Sequence, residues 1–270
     1  MALRSRFLRD GALWPVDVLS AGAARALGRR LLADARRSGG GAFKANDHLY
    51  YKAHLIFDAV DELARMPSIV ETVRSLLQSD DILLWDTSVP IKPPGGPMFP
   101  LHQDATYWGL EPPDGALTCW VALSEATAQH GCMTVVRGSH AHGQLPHHLS
   151  PSDSSMLRRG QQVAAAEGAA AEDVALSPGQ MSVHHPLLVH GSGANVTQED
   201  RIGVVLNYLA PQTRPAGGAT GSATLIAGAC DVGHWRLTAH RPGPDCTAET
   251  SERAHREALA THRGELLART

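Results

Sequence analysis

Hydrophobic residues recur at two different spacings along this chain, and the change between them divides it. Between Pro15 and Arg37, Ala24, Leu27 and Leu31 keep helical spacing, with Ser20 as an N-cap and Gly39, Gly40 and Gly41 as a stop. Residues 42–48 then read as a mobile connection. Pro67–Gln78 is a second helical run in which Ile69, Val70, Val73, Leu76 and Leu77 share one apolar face. Both helices are expected to pack outside a sheet.

From Asp81 onward the runs are shorter and strand-like: Asp81–Pro90, Leu101–Trp108, Ala116–Leu123, Gly131–Val136, Val174–His184 and Arg201–Tyr208. Turns rich in Gly and Pro separate them, at Lys92–Pro97, Glu111–Gly115, Arg137–Ser139 and Pro178–Gly179. Many short strands with few long helices predict a sandwich or jelly roll. Residues 140–172 break the pattern and read as a long insertion, partly helical or mobile, either a surface loop or a substrate-contacting segment at the barrel mouth. A Gly/Ala/Thr-rich loop begins at Gly217, and a helix is expected from about 251 to 267 as a packing or dimer element. The expected layout is a single domain over 1–270, with N-terminal helices in 15–78 and a β core over about 80–210.

Composition narrows the function. With 270 residues, 43% of them hydrophobic, the chain can bury a full core, while 19% charged residues and a net charge of −3 offer no polycationic surface for nucleic acid. Small-molecule partners are expected, with the protein a monomer or homodimer. The four cysteines, Cys119, Cys132, Cys230 and Cys246, show neither C-x-x-C spacing nor disulfide-scaffold density. No signal peptide and no run of about 18 apolar residues is evident, so no membrane association and a cytoplasmic, reduced setting are expected.

The chemistry concentrates at His102-Gln103-Asp104. On an extended strand, residues i and i+2 leave the same face, so an imidazole and a carboxylate would project together. His190 is the third ligand of choice, because two histidines and one carboxylate on one octahedral face leave three positions open at a non-haem Fe(II). Fifteen histidines make accidental neighbours common. The adjacent pairs His147-His148 and His184-His185 are read as non-chelating, since i and i+1 point to opposite strand faces. Arg201, eleven residues past His190, could grip a distal carboxylate through two parallel hydrogen bonds, which points to a dicarboxylate co-substrate.

Taken in order, His102-Gln103-Asp104, Trp120-Val121-Ala122-Leu123, Gly131-Cys132-Met133, Arg137-Gly138-Ser139-His140, His190-Gly191-Ser192 and Arg201 resemble the phytanoyl-CoA dioxygenase family of Fe(II)/2-oxoglutarate-dependent oxygenases, over roughly 45–210. The resemblance implies a mainly β fold with flanking helices around a double-stranded β-helix, the cupin-like jelly roll. It implies Fe(II) on His102, Asp104 and His190 as the catalytic centre, with 2-oxoglutarate and O2 as co-substrates. By the same resemblance Ser192 and Arg201 hold the 2-oxoglutarate tail, Trp120 is an aromatic wall beside it or else a core residue, and Lys52 with Leu84 or Trp85 flanks it. Gln103 is assigned support. Halogenating relatives have Ala or Gly at the Asp104 position, so Asp104 favours oxygen insertion or another hydrogen-abstraction outcome.

The implied reaction is hydroxylation of an unactivated C–H bond of a small molecule, natural-product or amino-acid-like, with release of succinate and CO2. Epimerisation, cyclisation or desaturation at the same iron remain alternatives, as do a cupin-type metalloenzyme without 2-oxoglutarate and an inactive binding protein. Tyr107, Trp108, His140 and Trp235 are the expected substrate contacts, because aromatic groups and loops at a barrel mouth shape the pocket.

Overall fold

The computed structural model describes residues 2–37, 51–149, 161–163 and 170–238, with 253, 256–257 and 260 beyond them. Its elements in chain order begin with α1 (Ala2–Asp10), β1 (Ala12–Asp17) and α2 (Ala21–Arg37), then α3 (Asp58–Ala64) and α4 (Pro67–Leu77). Next come β2 (Ile82–Ser88), β3 (Ile91–Lys92), β4 (Phe99–His102), the helical turn α5 (Ala105–Trp108), β5 (Leu110–Glu111), β6 (Ala116–Ala122) and β7 (Met133–Val135). The remaining strands are β8 (His147–Leu149), β9 (Gln161–Val163), β10 (Glu172–Val174), β11 (Gln180–His184), β12 (His190–Ser192), β13 (Arg201–Leu209), β14 (Arg214–Pro215), β15 (Gly221–Ala227) and β16 (Trp235–Leu237). The protein is mainly β, as the spacing of its hydrophobic runs predicts. Two compact units emerge, the first from 1–28, 91–108 and 120–203 and the second from 29–90, 109–119 and 204–270.

The first unit holds two sheets. One runs β1, β11, β6 and the head of β13; the other runs β10, β7, β12, β4. The predicted helix from Pro15 gives way here to a strand. Proline lacks the amide donor a helix interior needs, and β1 instead pairs antiparallel with β11, Ala12 opposite His184 and Val16 opposite Met181. The helix starts only at Ala21, where Ser20 acts as the predicted cap by accepting the Ala23 amide at 3.3 Å. Helix α1 had no counterpart in the sequence reading. Within the expected insertion, the described residues form a 3-10 turn at Ser139–His142 and the hairpin-like pair β8 and β9, His147 opposite Val163.

In the second unit the rest of β13 pairs with β2, followed by β15 and β16. Strand β2 is buried from Ile82 to Thr87, which explains its unbroken apolar character. On α4, Ile69, Val73 and Leu76 form the buried face, and Pro67 opens the helix at a position where its missing amide costs nothing. Tyr208 on β13 is fully buried and its hydroxyl donates to the Ala64 carbonyl of α3 at 2.7 Å. The predicted glycine stop and connection at 39–48 lie outside the described residues. So does most of the predicted C-terminal helix, although its four described positions are helical. No helix among the described residues is long and apolar enough to cross a membrane.

Candidate metal centre

The two histidines meet because strand register makes them neighbours. β12 pairs antiparallel with β4 so that His190 lies opposite His102, and their ring centroids are 4.3 Å apart. The strands close tightly one residue later, where a Cβ on Gly191 would sit 2.7 Å from the Phe99 carbonyl oxygen. Asp104 arrives by another route than expected. Strand β4 ends at His102, and Asp104 stands in the turn that opens α5, its carbonyl accepting the Tyr107 amide at 2.9 Å. The chain has turned rather than alternated, yet the carboxylate still faces both rings. Asp104 Oδ1 is 3.6 Å from His102 Nε2 and 3.6 Å from His190 Nε2.

These three residues form a group whose ligand atoms all lie within 4.8 Å of one another. The far nitrogens are already committed: His102 Nδ1 pairs with the Pro100 carbonyl at 2.8 Å and His190 Nδ1 with the Leu188 carbonyl at 3.0 Å. A ring that donates Nδ1–H to a carbonyl keeps its lone pair on Nε2, so both lone pairs aim at the shared locus. Burial, reinforced by His102, pushes the His190 imidazole down to about 3, against the partial pull of Asp104. For Asp104, burial disfavours ionisation, but the charge of His190 and the hydrogen bonds of His102 and His184 outweigh it and hold the carboxyl well below its usual range. A neutral His190 imidazole and an ionised Asp104 carboxylate are the protonation states a divalent metal requires of them.

Gln103 braces this loop. Its side-chain amide, fully buried, donates to the carbonyls of Leu187 at 2.6 Å and Gly143 at 2.9 Å while its oxygen accepts the Leu145 amide at 2.8 Å. Tyr107 sits beside the site, its ring 6.1 Å from that of His102 in an edge-on arrangement. His184 approaches from β11, with Nε2 3.3 Å from Asp104 Oδ2 and its ring 4.5 Å from His190.

Two buried cations stand in the same unit. Arg201 opens β13 directly opposite Lys92 of β3. Like charges facing each other across a ladder repel, and neither is paired with a carboxylate among the described residues. Lys92 has no exposed surface and donates to Ser192 Oγ at 2.7 Å and the Gly193 carbonyl at 2.5 Å. Burial, then the charge of Arg201, pushes its ammonium down to about 7. Arg201 is 3% exposed, donates to the Gly131 carbonyl, and keeps its Nε unpartnered. Burial brings it down to about 10. Its guanidinium lies 5.3 Å from the Trp120 ring centroid, and Gly203 leaves room for that ring, since a Cβ there would come within 2.3 Å of it. Two buried cations without a carboxylate partner among the described residues carry a desolvation cost that a bound anion would offset.

The other expected contacts have the following surroundings. Trp235 belongs to the second unit, 6% exposed, its indole N–H shared by the carbonyls of Pro211 and Thr213. His140 turns toward the N-terminal helix, its Nε2 3.1 Å from the Leu8 carbonyl and its ring 5.3 Å from His185. Trp108 is 8% exposed on α5. Lys52, expected beside the co-substrate, is buried in the second unit, where its ammonium meets the main-chain carbonyls of Trp85 and Ser222. Its own amide donates to Asp86 at 2.7 Å, a carboxyl that burial pushes up to about 6. Leu84 has no exposed surface in the same unit. The lysine by Ser192 is Lys92, at the head of the turn-rich stretch Lys92–Pro97.

Residues 7–203 match the phytanoyl-CoA dioxygenase (PhyH) family. A probable phytanoyl-CoA dioxygenase of Caenorhabditis elegans is 28% identical over 154 residues, 54% of this chain and 49% of that protein. The matched stretch spans about half the length of such curated relatives. A solved non-heme monooxygenase, ThoJ in its apo form, is 32% identical with a TM-score of 0.85, covering 98% of both chains. The epimerase SnoN, solved with Fe3+, alpha ketoglutarate and nogalamycin RO, is 27% identical with a TM-score of 0.62, covering 79% of this chain and 84% of that one. The fold shared with these oxygenases is the cupin-like jelly roll, and the chain belongs to the phytanoyl-CoA dioxygenase family.

Proposed function

We propose that this chain is a non-haem Fe(II)/2-oxoglutarate-dependent oxygenase that hydroxylates a C–H bond of a small molecule. The observation that carries the reading is the pairing of two features in one unit. His102, Asp104 and His190 converge on one locus, and Lys92 stands opposite Arg201, both buried and with no carboxylate partner among the described residues. The donor set fits iron(II): two imidazoles and one carboxylate suit that ion and leave open positions. When bound, iron with 2-oxoglutarate and O2 supplies oxidative decarboxylation to succinate and CO2 and attack on a C–H bond.

The chain's own residues then have distinct tasks. His102 and His190 present Nε2 atoms whose rings are oriented by their Nδ1 hydrogen bonds, and Asp104 supplies negative charge. Arg201 and Lys92 bind the distal carboxylate of the keto acid, with the Ser192 hydroxyl oriented by Lys92. Trp120 backs the guanidinium and shields that salt link from water. Tyr107, edge-on to His102, is the substrate contact we retain. Hydroxylation is favoured over epimerisation by the likeness to a monooxygenase along nearly the whole chain, and the carboxylate at Asp104 argues against halogenation.

The test is Fe(II)-dependent succinate formation from 2-oxoglutarate, with products of a substrate panel read for a gain of one oxygen. Anaerobic addition of Fe(II) and 2-oxoglutarate should give a visible charge-transfer band in the wild type. Asp104→Ala should lose both the band and turnover through loss of the metal. Absence of the band in a folded wild type that binds Fe(II) refutes the co-substrate, and a product of unchanged mass refutes hydroxylation.

A further inference from the structure

A third buried imidazole stands at the metal centre, and the sequence motif gives it no task. His184, the last residue of β11, is 2% exposed. Its Nε2 lies 3.3 Å from Asp104 Oδ2, whereas the Nε2 atoms of His102 and His190 lie 3.6 Å from the other oxygen, Oδ1. The carboxylate is thus divided, one oxygen facing the converging histidines and one facing His184. The Nδ1 of His184 is buried with no hydrogen-bond partner. That pattern is the reverse of His102 and His190, whose Nδ1 atoms are both engaged by carbonyls.

A histidine in this place could serve as a further ligand or as a hydrogen-bond donor to the ligating carboxylate, and the tautomer separates the two. Ligation through Nε2 would put the hydrogen on Nδ1, where it would be a buried donor without an acceptor, the omission folded proteins tolerate least. Donation puts the hydrogen on Nε2, where Asp104 Oδ2 accepts it, and leaves at Nδ1 only an unused lone pair. Ligation would also take one of the three open positions that a chelating keto acid and O2 need.

We propose that His184 is a positioning residue that donates its Nε2 hydrogen to Asp104 Oδ2 and so keeps Asp104 bound to the metal through Oδ1 alone. The proposal rests on the metal-centre reading above. A carboxylate tethered in this way cannot swing round to chelate with both oxygens, so the face used by the co-substrates stays open. Partners of this kind behind a ligating group change metal affinity without touching the metal.

The experiment titrates Co(II), as a redox-stable probe, into the metal-free wild type, His184→Phe and His184→Gln, with thermal melting as the check on folding. Phenylalanine fills the ring's volume without the donor, and glutamine restores an N–H. The expected result is roughly ten- to hundred-fold weaker Co(II) binding in His184→Phe, most of it recovered in His184→Gln. Pulsed EPR of the Cu(II)-loaded proteins should count the same two coordinated imidazoles in wild type and both variants. Unchanged affinity in His184→Phe overturns the proposal, as does failure of His184→Gln to recover affinity while melting like the wild type. A third coordinated imidazole that disappears in His184→Phe overturns it too, by making His184 a ligand. A wild type that takes up no Co(II) removes the metal-centre reading itself, a result distinct from these.

Discussion

Replacing Lys92 with methionine keeps the apolar stem and removes the ammonium, and the structure fixes the sign of the result. In the folded protein, burial and then Arg201 push Lys92 down from 10.5 to about 7. Between those values the unfolded chain carries a proton that the folded chain has shed. Stability of the ligand-free wild type therefore rises with pH across that window. One proton sets the ceiling on the slope at ~1.4 kcal/mol per pH unit. The destabilisation is fully present below about pH 7 and gone above about pH 10. The hydrogen bonds to Ser192 and Gly193 change the level of the wild-type-minus-variant difference but not its slope, because a neutral amine still donates. Bound 2-oxoglutarate supplies a counter-charge, raises the Lys92 pKa and flattens the curve, so it should bind more tightly near pH 7 than near pH 9. The assay is urea unfolding of wild type and Lys92→Met at fixed ionic strength, in steps from about pH 6 to 10. Taking the difference cancels groups that do not interact with Lys92. A difference that stays flat from pH 7 to 10, or a 2-oxoglutarate affinity indifferent to Lys92→Met, refutes the view that this lysine is a charge awaiting an anion.

Arg201→Ala removes a buried guanidinium whose charged hydrogen bonds are worth ~1.5–3 kcal/mol, so 2-oxoglutarate should bind roughly ten- to hundred-fold more weakly while Co(II) or Fe(II) affinity is retained; parallel loss of metal binding would refute the separation of the two tasks. Trp235→Phe deletes the indole N–H that the Pro211 and Thr213 carbonyls share, which should cost about 1–2 kcal/mol in unfolding free energy and leave substrate KM unchanged. A shift in substrate KM at constant stability would return Trp235 to the substrate site.

Long, regular runs were legible in the sequence. The helix at Pro67–Leu77 and the strands β2, β6 and β13 follow the apolar spacing closely, because each buries a continuous face. Legibility fails where the apolar signal is thin. Helix α1 exposes Leu3 and Leu8 and buries Phe7, so its nine residues carry little periodicity. At Pro15–Asp17 the helical spacing of α2 was carried back too far, across a stretch whose burial alternates as a strand's does.

The site divides along the same line, between residue type and register. Two histidines, an aspartate and an arginine announce the chemistry by kind and order, but which side chains stand opposite one another is a property of strand pairing. On an extended strand Asp104 would be the next outward position after His102, but the chain turns there, and the turn still brings the carboxylate to 3.6 Å from both imidazoles. The rule that neighbouring histidines face opposite ways was sound for His184 and His185, yet it dismissed both when it excludes only one. His184 faces Asp104, while His185 packs beside Phe7 and His140. Lys92 was overlooked for a related reason. Set in a Pro/Gly-rich stretch it reads as a turn, and only the β3–β13 pairing reveals that it meets Arg201 head-on. Arg201 alone suggests a dicarboxylate from the sequence, but a pair of buried cations facing each other across a ladder cannot be seen in one dimension.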